Sequence, residues 1–168
     1  MPTEFAQQYR REPRHDRWSS SPAAHLVRAD LGPSLLALWT GNRSACGLPD
    51  RDCFDALNLR PWIGYLSIYE RVGTCSDFRN RLEGTEVIEL TGENWQGRLA
   101  SEIDGHFGSG FQADLRRVAV SRQPNRSLCQ VFQRPHQVAE RILLPVTVGR
   151  TEVDQVFMAL FPTDKAVR

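Results

Sequence analysis

Long apolar runs are missing from this sequence of 168 residues. The N-terminal segment MPTEFAQQYRREPRHDRW has no apolar core of the length that a signal peptide needs, and no window approaches the roughly 20 apolar residues of a membrane span. The formal net charge is only +1 at pH 7, so no overall field attracts phosphate or acidic lipid. These absences predict a cytoplasmic protein without a membrane span and without a nucleic-acid partner.

Paired cysteines are missing as well. Cys46, Cys53, Cys75 and Cys129 are scattered without a CxxC pair, a pattern typical of ordinary thiols in a reducing compartment. We therefore expect neither a disulfide framework nor a structural metal site.

Catalytic motifs are also absent. The segment GHFGSGF, residues 105–111, matches neither the G-x-S-x-G nucleophile motif nor the phosphate-binding Walker pattern, and a flexible hinge before a long helix explains it better. No group of Ser, His and Asp can be assembled from sequence position. We therefore expect a protein that is not an enzyme.

The composition that is present is that of an ordinary globular protein, with 40% apolar and 24% charged residues. A chain of this length most simply forms one domain plus a tail. Residues 1–22 mix both charges with proline and serine, which predicts a flexible N-terminal arm able to dock a partner. The expected division is an arm at 1–22, a domain at 23–162 and a C-terminal tail at 163–168.

The order of the predicted elements is helix, two strands, helices and three strands. Apolar residues recur at near-helical spacing from Ala23 to Trp39, and Gly32-Pro33 is expected to break or restart this helix. Short helical segments follow the first two strands, and a longer helix begins near Phe111. The strands are predicted at 63–70, 77–84, 127–134, 139–148 and 153–161, with GRTE as the last hairpin turn.

The last predicted strand is apolar on both of its faces. Val153, Phe157, Ala159 and Phe161 point one way, and Val156, Met158 and Leu160 point the other. The pattern predicts an α+β fold with a five-stranded antiparallel sheet, helical crossovers on one face and an N-terminal helix on the other. That helix comes either from the same chain or from a second chain in a dimer.

A set of short motifs from Leu35 to Pro162 accompanies this order. Their positions are Leu38-Trp39, Leu48-Pro49, Arg51, Leu59, Pro61, Phe78-Arg79, Arg81-Leu82, Gly84-Thr85, Gly92, Gly97-Arg98 and Leu144-Pro145. In this set and order the chain resembles the PAS-like domain family of small stand-alone alphaproteobacterial proteins. The resemblance implies a PAS fold, a signalling or regulatory role and dimerisation through the N-terminal helix and the outer sheet face. It brings no catalytic residue and no output domain, so a signal is expected to pass to a partner protein.

The cofactor remains unknown at this point. Flavin photochemistry needs a reactive cysteine in an Asn-Cys-Arg-Phe-like stretch, and none of the cysteines lies in one. His106 is the only haem-ligand candidate near the crossover helices, although a solvated helix cap explains it better. Arg79 and Arg81 share one strand face, where they could hold an anion or pair with Glu70, Glu83 or Glu86.

Two sets of residues are predicted to carry the function. The first set consists of candidates for a cavity between sheet and helices, with plain core packing as the alternative for each: Trp62, Phe78, Arg79, Arg81, Trp95, His106, Phe107, Phe111, Leu115, Phe132 and Phe157. The second set is expected to form a dimer or partner surface: Leu31, Leu35, Leu38 and Trp39.

Two functions fit these expectations. The first is a single-domain sensor that binds a small effector and changes a protein–protein contact. The second is an interaction module with a filled core and no ligand. An open pocket larger than ~300 Å³ would favour the sensor.

Overall fold

One five-stranded antiparallel sheet organises the part of the chain that the structure describes. The computed structural model describes residues 22–74 and 77–163, and side chains from residue 30 onward except that of Pro135. The helices are α1 (Pro22–Gly41), α2 (Thr85–Thr91), α3 (Ala100–Phe107) and α4 (Phe111–Ser121). The strands are β1 (Leu66–Val72), β2 (Asp77–Glu83), β3 (Asn125–Val131), β4 (Arg134–Val146) and β5 (Gln155–Thr163). Nearly all of the predicted arm and of the predicted tail lie outside the described residues.

The strand order across the sheet is β2-β1-β5-β4-β3, and every pairing is antiparallel. The predicted α+β class, five-stranded sheet and final hairpin are therefore confirmed. The first strand begins later than predicted, because Ile63–Tyr65 forms a 3-10 turn. Gly84 ends β2 beside this turn, where a Cβ atom would collide with the carbonyl oxygen of Gly64. Membership in a PAS-like family stays a prediction.

Both faces of β5 are buried, as its sequence pattern predicts. The inner face, which carries Val156, Met158 and Leu160, lies against α4. The outer face, which carries Phe157, Ala159 and Phe161, lies against α1 and the connector that follows it. The rings of Phe54 and Phe157 are 5.4 Å apart, and those of Tyr65 and Phe161 are 5.3 Å apart. The described N-terminal helix thus covers the sheet of its own chain.

Helix α1 runs through Gly32-Pro33 without a break, so the predicted interruption is wrong. Proline removes one intrahelical hydrogen bond, and the Ser34 hydroxyl donates to the carbonyl of Asp30 at 2.6 Å within the same turn. Gly32 lies so close to β4 that a Cβ atom would sit 2.6 Å from Glu140 Oε2. Packing of the helix on the sheet therefore outweighs the local preference for a break.

Two of the four residues predicted as a partner surface are buried inside the chain. Leu35 is fully buried and Trp39 is 1% exposed, and the Trp39 Nε1–H donates to the carbonyl of Pro145 at 2.8 Å. Leu31 and Leu38 are half-buried. The prediction that Leu35 and Trp39 form a partner surface is wrong, because both side chains are buried against the sheet of their own chain and are not available to a second protein.

The glycine-rich segment 105–111 forms the corner between α3 and α4. Gly108 and Gly110 have φ angles of 62° and 70°, the left-handed region that glycine tolerates. Asp104 accepts hydrogen bonds from the Ser109 hydroxyl and from the backbone N–H groups of Phe111 and Gln112. A carboxylate at the start of α4 satisfies otherwise unpaired helix donors. The corner is thus a capped turn.

Candidate functional site

A cavity of ≈ 50 Å³ lies between the inner face of the sheet and the crossover helices. We call it the inner cavity, and the residues that matter for its chemistry are Tyr69, Glu83, Trp95, Phe132, Gln133 and Arg141. Val87, Ile103, Phe111, Met158 and Leu160 supply apolar wall. This volume is far below the roughly 300–1,000 Å³ of pockets for drug-sized ligands. It holds a few water molecules or a molecule of a few heavy atoms.

Tyr69, Asn80 and Glu83 form a polar cluster at the β1–β2 side of the inner cavity. Tyr69 lies opposite Asn80 across the two strands, and the Asn80 amide donates to the Tyr69 hydroxyl at 3.2 Å and to a carboxyl oxygen of Glu83. Burial raises the pKa of Glu83 from its ordinary 4.5 to about 7, against the lowering effect of hydrogen bonding with Asn80 and Ser67. Burial, followed by the nearby Glu83, also raises the pKa of Tyr69. The uncharged forms of both groups are therefore favoured.

Arg141 reaches the inner cavity from β4 and has little access to solvent. Its side chain is 9% exposed, and its Nη2 donates to Asp114 Oδ2 at 2.5 Å. The guanidinium carbon lies 5.6 Å from the centre of the Phe111 ring, within cation–π range. Asp114 also accepts from Arg117 at 3.0 Å. The Nε–H group of Arg141 is buried and has no hydrogen-bond partner within the described residues.

Trp95, Phe132 and Gln133 line one part of the inner cavity, and together with Glu93 we call them the mouth residues. Glu93 Oε2 accepts from Trp95 Nε1 at 3.0 Å and from Gln133 Nε2 at 3.1 Å. The Phe132 ring stacks at 6.0 Å on that of Phe107. These contacts connect the segment between α2 and α3 to the β3–β4 turn. The Oε1 atom of Gln133 is buried and, among the residues described, has no partner.

Three of the predicted cavity residues line the inner cavity together: Trp95, Phe111 and Phe132. Phe107 packs behind them, with its ring 5.8 Å from that of Trp95. His106 is exposed, and its ring lies against those of Trp95 and Phe107. Phe78 and Leu115 belong to the packed core, where they are 1% and 0% exposed.

Four other predicted cavity residues do not line the inner cavity. Trp62 and Phe157 lie on the side of the outer face, where Trp62 Nε1 donates to the Leu31 carbonyl at 2.9 Å. Arg79 donates to the Gly97 carbonyl at 2.9 Å, and Arg81 pairs with Glu70 at 3.0 Å. The expectation for Trp62 and Phe157 is corrected, because aromatic composition does not reveal which face of the sheet a ring covers.

The predicted set missed Tyr69, Glu83 and Arg141, the polar groups of the inner cavity. A sequence signal for Arg141 existed in the β4–β5 hairpin. The turn at residues 149–152 pairs Arg141 with Leu160, and Leu160 belongs to the inner face. A charged residue at an inward position of a buried strand is uncommon and therefore indicates a special role.

Comparison of the chain with models of known protein families and with curated proteins gives no match. Among the described residues, no cluster of three or more His, Cys, Asp or Glu side chains is arranged to hold a metal ion. Over the same residues, no helix combines the length and the apolar character needed to cross a membrane.

Proposed function

We propose that this chain is a non-catalytic, PAS-like regulatory protein that binds a small effector in the inner cavity and signals through protein contacts. The observation that carries the proposal is Arg141, a nearly buried cation whose side chain lines the inner cavity and whose Nε–H has no hydrogen-bond partner among the described residues. Leaving such a donor unpaired costs about 1–3 kcal/mol, and more for a charged group. A bound molecule that accepts this hydrogen bond removes the cost.

The inner cavity borders β4, and the opposite face of β4 contacts α1. Arg141 and Leu143 point inward from β4, and the residues between and after them, Ile142 and Leu144, point outward. Helix α1 packs on β4 and β5 and is anchored by the hydrogen bond from Trp39 to Pro145. An occupant that shifts β4 therefore changes the support of α1. A population shift of this helix is the proposed signal.

A filled-core interaction module is the second candidate, and the volume of the inner cavity favours it. A space of ≈ 50 Å³ is closer to a packed core than to a conventional ligand pocket. In this alternative, a few ordered waters satisfy Arg141 and the chain acts only by docking other proteins. The two candidates differ in whether any solute changes the stability of the protein.

We place the protein in the cytoplasm, with another signalling protein or a second copy of this chain as partner, and without nucleic acid as a ligand. The near-zero net charge supports the last point. Size-exclusion chromatography with light scattering tests the expected homodimer.

The test of the proposed function begins with the purified full chain. Absorbance spectra report haem or flavin, and mass spectrometry of molecules released on denaturation reports a colourless passenger. Thermal unfolding is then measured against a library of small metabolites. At least one compound is expected to raise the melting temperature of the wild type and to act less on Arg141→Lys, with Arg116→Lys on the exposed face of α4 as the matched control. A released-molecule analysis and a millimolar screen that both give nothing would favour the filled-core module.

A further inference from the structure

The two edges of the sheet differ in how the chain covers them. On the β2 edge, the Asn80 N–H donates to the Arg98 carbonyl at 2.9 Å, and the Asn80 carbonyl accepts from the Gly97 N–H at 2.7 Å. A further bridge pairs Arg79 with Leu99. On the opposite edge, β3 pairs with β4 alone within the described residues. The segment before α3 therefore covers the β2 edge, and the β3 edge has no partner strand from the described part of its own chain.

Strand β3 carries few of the features that protect an open edge. Proteins usually blunt such an edge with lysine, proline or a bulge. The seven residues of β3, NRSLCQV, include neither lysine nor proline, and the shift in register lies only at the last step, between Gln130 and Val131. The one charged residue, Arg126, is already paired with Glu140 on β4. Leu128, at the middle of the strand, is 42% exposed.

We propose that β3 of one chain pairs antiparallel with β3 of a second copy, in a two-fold symmetric register centred on Leu128. The two sheets then form one continuous antiparallel sheet with an isologous interface. This inference rests on the proposed function, because it specifies the surface through which the expected homodimer forms.

The side chains of β3 fit their own copies in this register. Leu128 lies opposite Leu128 of the partner subunit, so that each side chain covers the exposed apolar surface of the other. Arg126 lies opposite Gln130 of the partner subunit, so no like charges meet. Ser127 lies opposite Cys129 of the partner subunit, and both side chains are small. A second copy is the occupant that this register favours, because it supplies a matching leucine and adds no unpaired charge.

The size of the contact sets the expected strength of the dimer. Standard protein–protein interfaces involve roughly 20–30 residues a side, whereas β3 offers seven. We therefore expect a dimer that dissociates on dilution rather than a permanent one.

The main test places a charge at the centre of symmetry. Leu128→Arg puts two like charges opposite each other across the dimer, while within its own chain position 128 lies opposite Glu140, which gives the new cation a partner. Leu128→Glu places two carboxylates at the same point. Each variant alone is expected to raise the dissociation constant of the dimer by about tenfold or more. An equimolar mixture of the two variants is expected to restore the dimer, because an arginine then faces a glutamate.

The measurement is size-exclusion chromatography with light scattering of the full chain over a series of protein concentrations, with circular dichroism as the check on folding. Leu57→Arg, at an 80% exposed side chain of the connector, is the matched control and should leave the dissociation constant unchanged.

A cysteine variant tests the same register without adding a charge. Residues directly opposite each other in antiparallel strands have Cβ atoms about 4.5–5.5 Å apart, close to the reach of a disulfide. Mild oxidation of Leu128→Cys is therefore expected to link the two introduced thiols, as identified by mass spectrometry of the joined peptides. Leu57→Cys is the control and should not be linked in this way. A link between the two Cys129 thiols instead would contradict the register centred on Leu128.

Three results would overturn the proposed pairing: a chain that stays monomeric at millimolar concentration, a dimer that tolerates both charged variants, and a dimer that the mixture fails to restore. A dimer that persists in both variants uses another surface, and the homodimer of the proposed function then stands. Effector binding is decided separately by the metabolite screen, so its failure is distinguishable from failure of the β3 pairing.

Discussion

On the outer face of the sheet the indole N–H groups of the large side chains are paired, and most of the buried polar atoms that lack a partner among the described residues lie on the inner side, with Gln155 Oε1 as the exception. The indole N–H groups of Trp39 and Trp62 both donate to backbone carbonyls across the packed interface. Arg141, Asn80 and Gln133, by contrast, each keep one buried atom on the inner side that has no partner in the described part of the chain. The outer face packs against α1, and the inner face borders a cavity. The predictions below test this contrast.

The largest effect is expected from Trp39→Ala on the outer face. Trp39 is 1% exposed and its Nε1–H is bonded to Pro145, so its removal leaves both a large hole and an unpaired carbonyl. We expect a loss of about 3–5 kcal/mol in the free energy of unfolding, measured with urea. Leu57→Ala, at a side chain that is 80% exposed, is the control and should stay within about 0.5 kcal/mol. A loss below about 1 kcal/mol for Trp39→Ala would contradict a tightly packed outer face.

A pH-dependent effect of the next size is expected from Glu83 on the inner face. Its pKa is about 7 in the folded protein and near 4.5 when exposed, so the folded state binds the extra proton between these values. Stability therefore falls as the pH rises from about 4.5 through about 7, by about 3 kcal/mol in total, and is unaffected by this group below 4.5.

Glu83→Gln should remove this part of the pH dependence. The measurement is urea unfolding of wild type and variant from pH 4 to 8, with Glu89→Gln on the exposed side of α2 as the control. Parallel curves for Glu83→Gln and wild type would show that burial does not penalise the Glu83 carboxylate.

A matched pair of leucines compares the two faces with the same chemical change. Leu144 lies on the outer face and is 1% exposed, and Leu160 lines the inner cavity and is 6% exposed. Both Leu→Ala changes fall in the usual range of about 2–5 kcal/mol, but Leu160 already borders empty space and loses fewer contacts. We expect Leu144→Ala to cost about 1 kcal/mol more than Leu160→Ala in urea unfolding. The reverse order would mean that the inner face is packed as tightly as the outer.

The smallest effect on stability is expected at the mouth residues. Glu93→Ala removes the acceptor shared by Trp95 and Gln133, and a hydrogen bond of this kind contributes about 1 kcal/mol. The clearer readout is collisional quenching of tryptophan fluorescence by acrylamide, which should increase because Trp95 loses its restraint. Glu89→Ala, at an exposed position of α2, is the control. Unchanged quenching would indicate that the aromatic contacts alone restrain Trp95.

The sequence predicted the order of the secondary-structure elements but missed the polar groups of the inner cavity. The element order and the two buried faces of β5 were predicted correctly, because they depend on the period of apolar residues along each segment. Trp95, Phe111 and Phe132 line one cavity together, since they come from the segments that cross the inner face. The predicted helix break at Gly32-Pro33 was wrong, because contacts between α1 and β4 stabilise a helix that proline disfavours locally.

Local pattern was thus sufficient for the strands, their alternation and the need to cover both sides of the sheet. It was insufficient for the polar groups of the inner cavity, whose state depends on residues far apart in the chain. Arg141 is paired with Asp114 only because α4 crosses β4, and Glu83 has a raised pKa only because the packed structure excludes water from it. Burial and hydrogen-bond partners are properties of the packed arrangement, so no window of sequence contains them.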